Sequence, residues 1–286
     1  MHRRLPPRQP LASLLESCLQ FSGRWPTDPR LYPSFWRRKI KRQMSSDGLI
    51  SWLGIREVPS EGTSHFHSDL KTGREQHLFS DYEEVHFLLL ERDPSVRWIC
   101  SQWPILDLPG TLRLSAEREV RHPYHDGFPA PVTVDLLVGA SGASGREIVQ
   151  ACAVKTPEDA GDPQVLQALS VQYLWCRGHR LPWWLMNSDS LGDVPTTLQS
   201  LRFIRMWDTV GESRPSERAA ALFTRAFCAV YERNVLLEDL IYKTARILKM
   251  DRDKAIRLFR YASWSVRIPV DVRRPIRLNH PLVLLQ

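Results

Sequence analysis

Two charges interrupt an otherwise apolar stretch of this chain. In "VDLLVGASGASGREIVQACAVK", residues 134–155, Asp135 stands among aliphatic residues and Lys155 closes the run in a similar setting. The pattern reads as two strands, 132–138 and 147–154, joined by a glycine-rich turn. A charge inside a sheet is costly unless it is paired or holds a metal. A third charge, Glu83, lies at the start of a helix written in "SDYEEVHFLLLE", residues 80–91. Two carboxylates and a lysine converging from a helix and two strands suit metal-assisted cleavage of a phosphodiester. The carboxylates hold Mg²⁺ through hard oxygen ligands, and the ion polarises the phosphate and acidifies a water. The lysine orients that water and offsets charge in the transition state. Spacing alone leaves a second reading open, a buried Asp135–Lys155 ion pair with no part in chemistry.

The elements that must position these groups are legible around them. Ser80 or Asp81 can cap the helix, and acids in its first turn suit the helix dipole. Val85, Leu88 and Leu89 form an apolar stripe. Glu83, Phe87 and Leu90 follow at spacings that turn Glu83 inward and leave Glu84 toward water. "VRWICSQWPIL" (96–106) and "GTLRLSAE" (110–117) read as extended segments. The glycines at 139, 142 and 145 imitate a phosphate-cradling loop, but no helix with a Lys-Ser/Thr start follows, so a hairpin turn is expected. "DPQVLQALSVQYLWCRG" (162–178) is an amphipathic helix ended by Gly178, and "LPWWLMN" (181–187) is a further strand. The order strand, strand, strand, helix, strand predicts an α/β fold, a mixed sheet flanked by helices. Upstream, His65 and His67 alternate as on a strand and could share a metal, although polar surface is the commoner meaning of such a pair.

The net charge of +7 divides unevenly: +8 over residues 1–45, −9 over 46–213 and +8 over 214–286. Basic ends suit a polyanion, and an acidic middle suits divalent cations. Residues 1–45 read as a Pro/Arg-rich arm, with one short helix allowed by Leu14, Leu15 and Leu19. Its patch Arg37, Arg38, Lys39, Lys41 and Arg42 can track phosphates, with Trp36 stacking or packing beside it. Residues 46–192 form the α/β domain, and 193–286 a helical one. Helices are expected at about 216–233, 236–249 and 252–264, the last capped by Asp251 and carrying Lys254, Arg257 and Arg260. "VRIPVDV" and "PIRLNHPLVLL" follow as two extended pieces, the element order of a winged helix. A basic face there binds DNA or a protein, or is merely solvated. Cys18, Cys100, Cys152, Cys176 and Cys228 are odd in number and widely spaced, which predicts reduced thiols and no zinc site. No run is long and apolar enough for a membrane helix, and the basic N-terminus is not a secretory signal.

The run "VPSEGTSHFHSDLKTGREQHLFSDYEEVHFLLLE" resembles the N-terminal part of the TnsA family, the endonuclease subunits of heteromeric cut-and-paste bacterial transposases. The resemblance continues through "RHP" at 121–123, "TVDLLV" at 133–138, "AVKT" at 153–156 and "LPWWLMNSD" at 181–189, covering roughly residues 50–190. It implies a restriction-endonuclease-like fold and cleavage of the 5′, non-transferred strands at transposon ends. The family's catalytic glutamate falls on Glu83, its aspartate on Asp135 and its lysine on Lys155. Type II nucleases usually place a carboxylate two residues before the lysine and this family can place a glutamine; this chain has Ala153. The implied ion, Mg²⁺ with Mn²⁺ as substitute, therefore rests on Glu83, Asp135 and the main-chain carbonyl of Val154. Gln150 and Gln172 are candidates to hydrogen-bond these ligands. The implied partners are transposon-end DNA, a DDE-type transposase, and an AAA+ ATPase regulator met by the C-terminal region, all in the bacterial cytoplasm and on the nucleoid. Two other readings remain: an inert DNA-binding or bridging subunit that keeps the nuclease fold, for which Ala153 is the motive, and a stand-alone restriction-type nuclease.

Overall fold

The computed structural model describes residues 34–45, 48–57, 63–125, 127–142, 145–186, 188–208 and 213–285. The expected helix at Leu14, Leu15 and Leu19, most of the arm, and Cys18 lie outside the described residues. The described residues fall into two compact units. One runs to Phe87 and from Ser95 to Ser188; the other comprises Leu88–Pro94 and everything from Asp189 onward.

In the first unit, helix α1 (Ser34–Ser45) precedes a hairpin of β1 (His65–Ser68) and β2 (Glu75–Leu78). Helix α2 (Asp81–Arg92) follows, then β3 (Val96–Ile105), α3 (Leu108–Glu117) and a short pair, β4 (Tyr124–His125) and β5 (Phe128–Pro129). The chain continues through β6 (Val132–Ser141), β7 (Glu147–Val154), α4 (Pro157–Gly161), α5 (Pro163–Gly178) and β8 (Trp183–Met186). The main sheet has the order β3-β6-β7-β8. Its first two pairings are antiparallel and β7–β8 is parallel. A parallel step needs a crossover, and α4 with α5 supplies it. This is the mixed sheet flanked by helices that the pattern predicts.

The core under the sheet joins Trp98, Trp103, Ile105, Val134, Leu137, Trp175 and Cys176, all nearly inaccessible. Gly139 pairs with Trp98 across β3 and β6, and a Cβ there would lie 2.1 Å from the indole ring. Gly145 takes φ +73 in the hairpin turn. Those glycines therefore serve packing and a turn, as expected in place of a nucleotide loop. The hairpin β1–β2 is tied to β3 through side chains: Ser101 Oγ accepts from the His77 amide at 2.8 Å, and Gln76 bonds to two β3 residues. Gln76 donates to the Ile99 carbonyl at 2.9 Å and accepts from the Ser101 amide at 2.8 Å, standing in for a missing strand.

One segment differs from expectation. "GTLRLSAE" is helical, not extended: Asp107 accepts from the Gly110 amide at 3.0 Å and caps α3. The buried positions Leu108, Thr111 and Ser115 have helical spacing, while Leu112 and Leu114, whose alternation suggests a strand, are half-buried, Leu114 at the edge of the core. Asp107 also accepts from the Trp175 indole at 3.0 Å, which fixes α3 to α5.

The second unit holds α6 (Val194–Arg205), α7 (Glu217–Val230), α8 (Leu237–Leu248) and α9 (Arg252–Trp264). Phe223, Phe227 and Phe259 stack in its core. Asp251 caps α9 through the Lys254 amide at 2.7 Å. Glu91, fully buried, meets the Arg205 guanidinium at 2.7 and 3.1 Å. The two extended pieces after α9 do not form a hairpin ladder. Among the described residues they make two isolated antiparallel bridges, Leu236↔Pro281 and Val270↔Leu284. Pro269, Pro275 and Pro281 remove the donors that a ladder requires.

Candidate active site

Glu83 reaches the sheet because α2 begins where it does. Ser80 accepts from the Glu83 amide at 3.1 Å, which sets the first turn. The Glu83 carboxylate then turns back and accepts from the Phe79 amide at 3.0 Å and from the Gln102 side-chain amide at 3.1 Å. Burial pushes its pKa up to about 8, and the negative charge of Asp135 adds to the rise. The Phe79 amide, the Lys155 ammonium and the Gln102 amide pull the other way without winning.

Asp135 owes its position to a strand ending. The β6–β7 ladder closes at Leu136↔Cys152, and beyond it the Asp135 carboxylate accepts from the Val154 amide at 2.8 Å. The Lys155 ammonium lies 3.5 Å from the same oxygen and donates to the Val154 carbonyl at 3.0 Å. Burial, with the Asp135 charge adding to it, pushes the nearby Cys152 thiol up to about 12. The helix and the two strands thus bring Glu83, Asp135 and Lys155 together. Two neighbouring carboxylates, with donors on only part of their oxygens, form a set that a hard divalent cation fits.

Gln102 is the group that sequence reasoning overlooks. It sits in β3 between Ser101, which pairs with Leu136, and Trp103, which pairs with Val134, and its backbone takes φ +49. A left-handed residue inside a strand costs about 1–3 kcal/mol and recurs at working sites. Its amide donates to Glu83 while its carbonyl accepts from the Thr133 hydroxyl at 3.3 Å. Gln172 continues the chain of amides, donating to the Thr133 carbonyl at 2.8 Å and accepting from the Trp183 indole at 3.4 Å. Gln150 lies further along β7, opposite Val138, and Ala153 is fully buried opposite Leu185. The available signal was the polar pair Ser101-Gln102 in an otherwise apolar strand.

Glu84 is a second correction. It is not turned to water; its side chain is 1% exposed. The hairpin covers it: His67 Nε2 lies 2.8 Å from Glu84 Oε1, and His65 Nδ1 lies 3.2 Å from Glu84 Oε2. His65 Nε2 lies 2.7 Å from Asp81 Oδ1. One ligand atom from each of His65, Asp81 and Glu84 can be chosen so that all lie within 4.8 Å of one another, the one such group of three among the described residues.

A cleft of about 680 Å³ opens beside Asp135, with Thr133, Gln172, Trp36, Trp52 and Lys39 in its wall. Trp36 packs: it is 4% exposed and stacks on His125 at 5.9 Å, with Trp52 edge-on at 5.7 Å. Of the basic residues on α1, Arg37, Arg38, Lys41 and Arg42 are exposed, whereas Lys39 donates to the Trp52 carbonyl at 2.7 Å and meets Glu57. On α9, Lys254 is exposed. Arg257 spends its guanidinium on the carbonyls of Trp207 and Ser213, and Arg260 lies over the Phe203 ring at 4.6 Å. Cys100, Cys152 and Cys176 are free and buried, and Cys228 is free and exposed. No helix among the described residues is long and apolar enough to cross a membrane.

No family model matches the chain. A relative does: the transposon Tn7 transposition protein TnsA of Escherichia coli is 31% identical over 160 residues, 55% of this chain and 58% of that protein. The match thus spans little more than half the length of the relative. Over it the chain is TnsA-like.

Proposed function

We propose that this TnsA-like chain is a Mg²⁺-dependent DNA endonuclease that cuts the 5′ strands at transposon ends as one subunit of a heteromeric transposase. The observation that carries the proposal is the convergence of Glu83, Asp135 and Lys155, with Lys155 Nζ 3.5 Å from Asp135. The relative adds transposition by its name. In this reading residues 46–192 are a restriction-endonuclease-like nuclease domain and 193–286 a winged-helix-like domain. The partners are a DDE-type transposase and an AAA+ regulator.

Glu83, Asp135 and the Val154 carbonyl would hold the ion, which when bound polarises the scissile phosphate and acidifies a water. The protein's own groups do the rest. The Val154 amide holds one Asp135 oxygen and leaves the other for the ion. Lys155 is kept at the strand end by the Val154 carbonyl, from which its ammonium orients the attacking water and meets charge on the phosphate. Gln102 keeps one Glu83 oxygen occupied and the carboxylate aimed. Because burial and the Asp135 charge make Glu83 hold its proton near neutrality, an ion held there would compete with that proton. A carboxylate two residues before Lys155 is missing, and the buried Ala153 cannot replace it. Gln102, from β3, supplies an amide to Glu83 instead.

Ala153 also motivates the second reading, an inert DNA-binding subunit. Calorimetric titration of Mn²⁺ with a short duplex present separates the two. A binding component that vanishes in Asp135→Ala supports the nuclease; identical isotherms favour the inert scaffold.

A further inference from the structure

We propose that His65, Asp81 and Glu84 bind a second divalent ion of the zinc or manganese class, distinct from the catalytic ion, and that it fixes the turn of α2 that presents Glu83. The inference depends on the nuclease reading only in taking Glu83 as a working residue.

The donor chemistry comes first. His65 faces carboxylate oxygens with both ring nitrogens, Nε2 at 2.7 Å from Asp81 and Nδ1 at 3.2 Å from Glu84. A neutral imidazole has one N–H, so one of those contacts sets lone pair against lone pair. A cation removes the conflict: one nitrogen ligates it while the other donates to a carboxylate, the usual habit of metal-bound histidine. Glu84 argues in the same direction. Its side chain is 1% exposed and lies between two imidazoles, a buried oxygen-and-nitrogen setting in which a nearby cation offsets the cost of the charge.

The geometry then selects the ligands. One atom from each of the three residues fits within a 4.8 Å span. Donors around a tetrahedral zinc stand about 3.3 Å apart, given bonds of about 2.0–2.1 Å, so small rotations suffice. His67, on the other Glu84 oxygen at 2.8 Å, orients that carboxylate, and its ring rests on Phe87 at 5.5 Å. Three protein ligands leave a place for water. The imidazole favours zinc over Mg²⁺, which prefers all-oxygen sites, and the two carboxylates also suit manganese.

The scaffold is suited to transmit the effect. His65 lies on β1, which pairs with β2, and Gln76 of β2 is bonded to β3. Asp81 and Glu84 lie on either side of Glu83 in the first turn of α2. An ion at this point staples the hairpin to that turn.

The test uses the full chain carrying Asp135→Ala, in which the catalytic ligand set is already broken, so its result stands whether or not the chain cuts DNA. After exchange into Zn²⁺ and desalting, elemental analysis should find about one ion per chain. Adding Glu84→Gln or His65→Ala should remove it. Zinc-edge X-ray absorption on the Asp135→Ala chain alone, which needs no further substitution, should show imidazole in the coordination shell. Retention of zinc in both added variants, a shell of oxygen only, or no bound zinc in Asp135→Ala overturns the proposal.

Discussion

Glu83 and Glu84 are neighbours on one turn of α2, yet the fold places their charges in opposite situations. Glu83 faces a second carboxylate, a lysine and two amide donors, and burial with the Asp135 charge raises its pKa to about 8. Glu84, nearly inaccessible, meets an imidazole at each oxygen. The first arrangement leaves a carboxyl in excess of its donors, and so ready to exchange a proton for a cation. The second sets a carboxylate between two imidazoles, where with Asp81 it ties a hairpin to a helix and offers a separate cation site. Depth of burial does not separate a reacting group from a fixing one here. The identity of the neighbours does.

The comparison breaks most sharply at Asp135. Asp135→Ala should lower 5′-strand cleavage by at least about 1,000-fold while thermal melting stays cooperative. Gln102→Leu comes next, because it strips Glu83 of a donor without touching the ion. Loss of such a supporting partner should weaken Mn²⁺ binding by about 10–100-fold, and the cleavage pH profile should move upward. A profile that stays in place would remove Gln102 from the site.

pH separates the two glutamates further. Below about 8 the Glu83 proton competes with the ion, so Mn²⁺ affinity at the nuclease site should rise about tenfold per pH unit and level off above 8. Stability of the metal-free chain has the opposite slope. The folded state keeps the Glu83 proton that the unfolded state sheds near 4.5, so stability falls as pH rises from 4.5 toward 8. Glu83→Gln should flatten that decline in a series of melts across pH. Smaller again is Glu84→Gln, expected to cut cleavage only several-fold, since it loosens the turn and leaves the chemistry in place. Smallest is Arg37→Ser with Arg38→Ser, which should leave cleavage at saturating DNA unchanged. It should also reduce the salt slope of DNA binding by about 2.

The fate of particular residues shows how far the sequence could be read. Asp135 and Lys155 were visible because each breaks an apolar strand, and Glu83 because it shares a helical face with Phe87. All three depend on local periodicity. Glu84 was misjudged because the helix pattern alone turns it outward, while the hairpin that covers it is bonded through Gln76 to a strand more than 20 residues away. Gln102 was missed because its role comes from a left-handed backbone and a cross-strand register, neither of which has a local signature. Helix α3 was read as a strand because Thr111 and Ser115, small and polar, carry its buried face. The helices of the second unit were clear from their caps and apolar spacing; the pieces after them looked like strands until their prolines are counted as lost donors.

The most direct test is a strand-resolved cleavage assay. A duplex carrying the transposon end, labelled separately on each strand, is incubated with Mg²⁺, the partner transposase and either wild-type chain or Asp135→Ala. The wild type should cut the 5′ strand, and the cut should disappear with Asp135→Ala and with omission of Mg²⁺. Equal 5′-strand cleavage by both chains would contradict it.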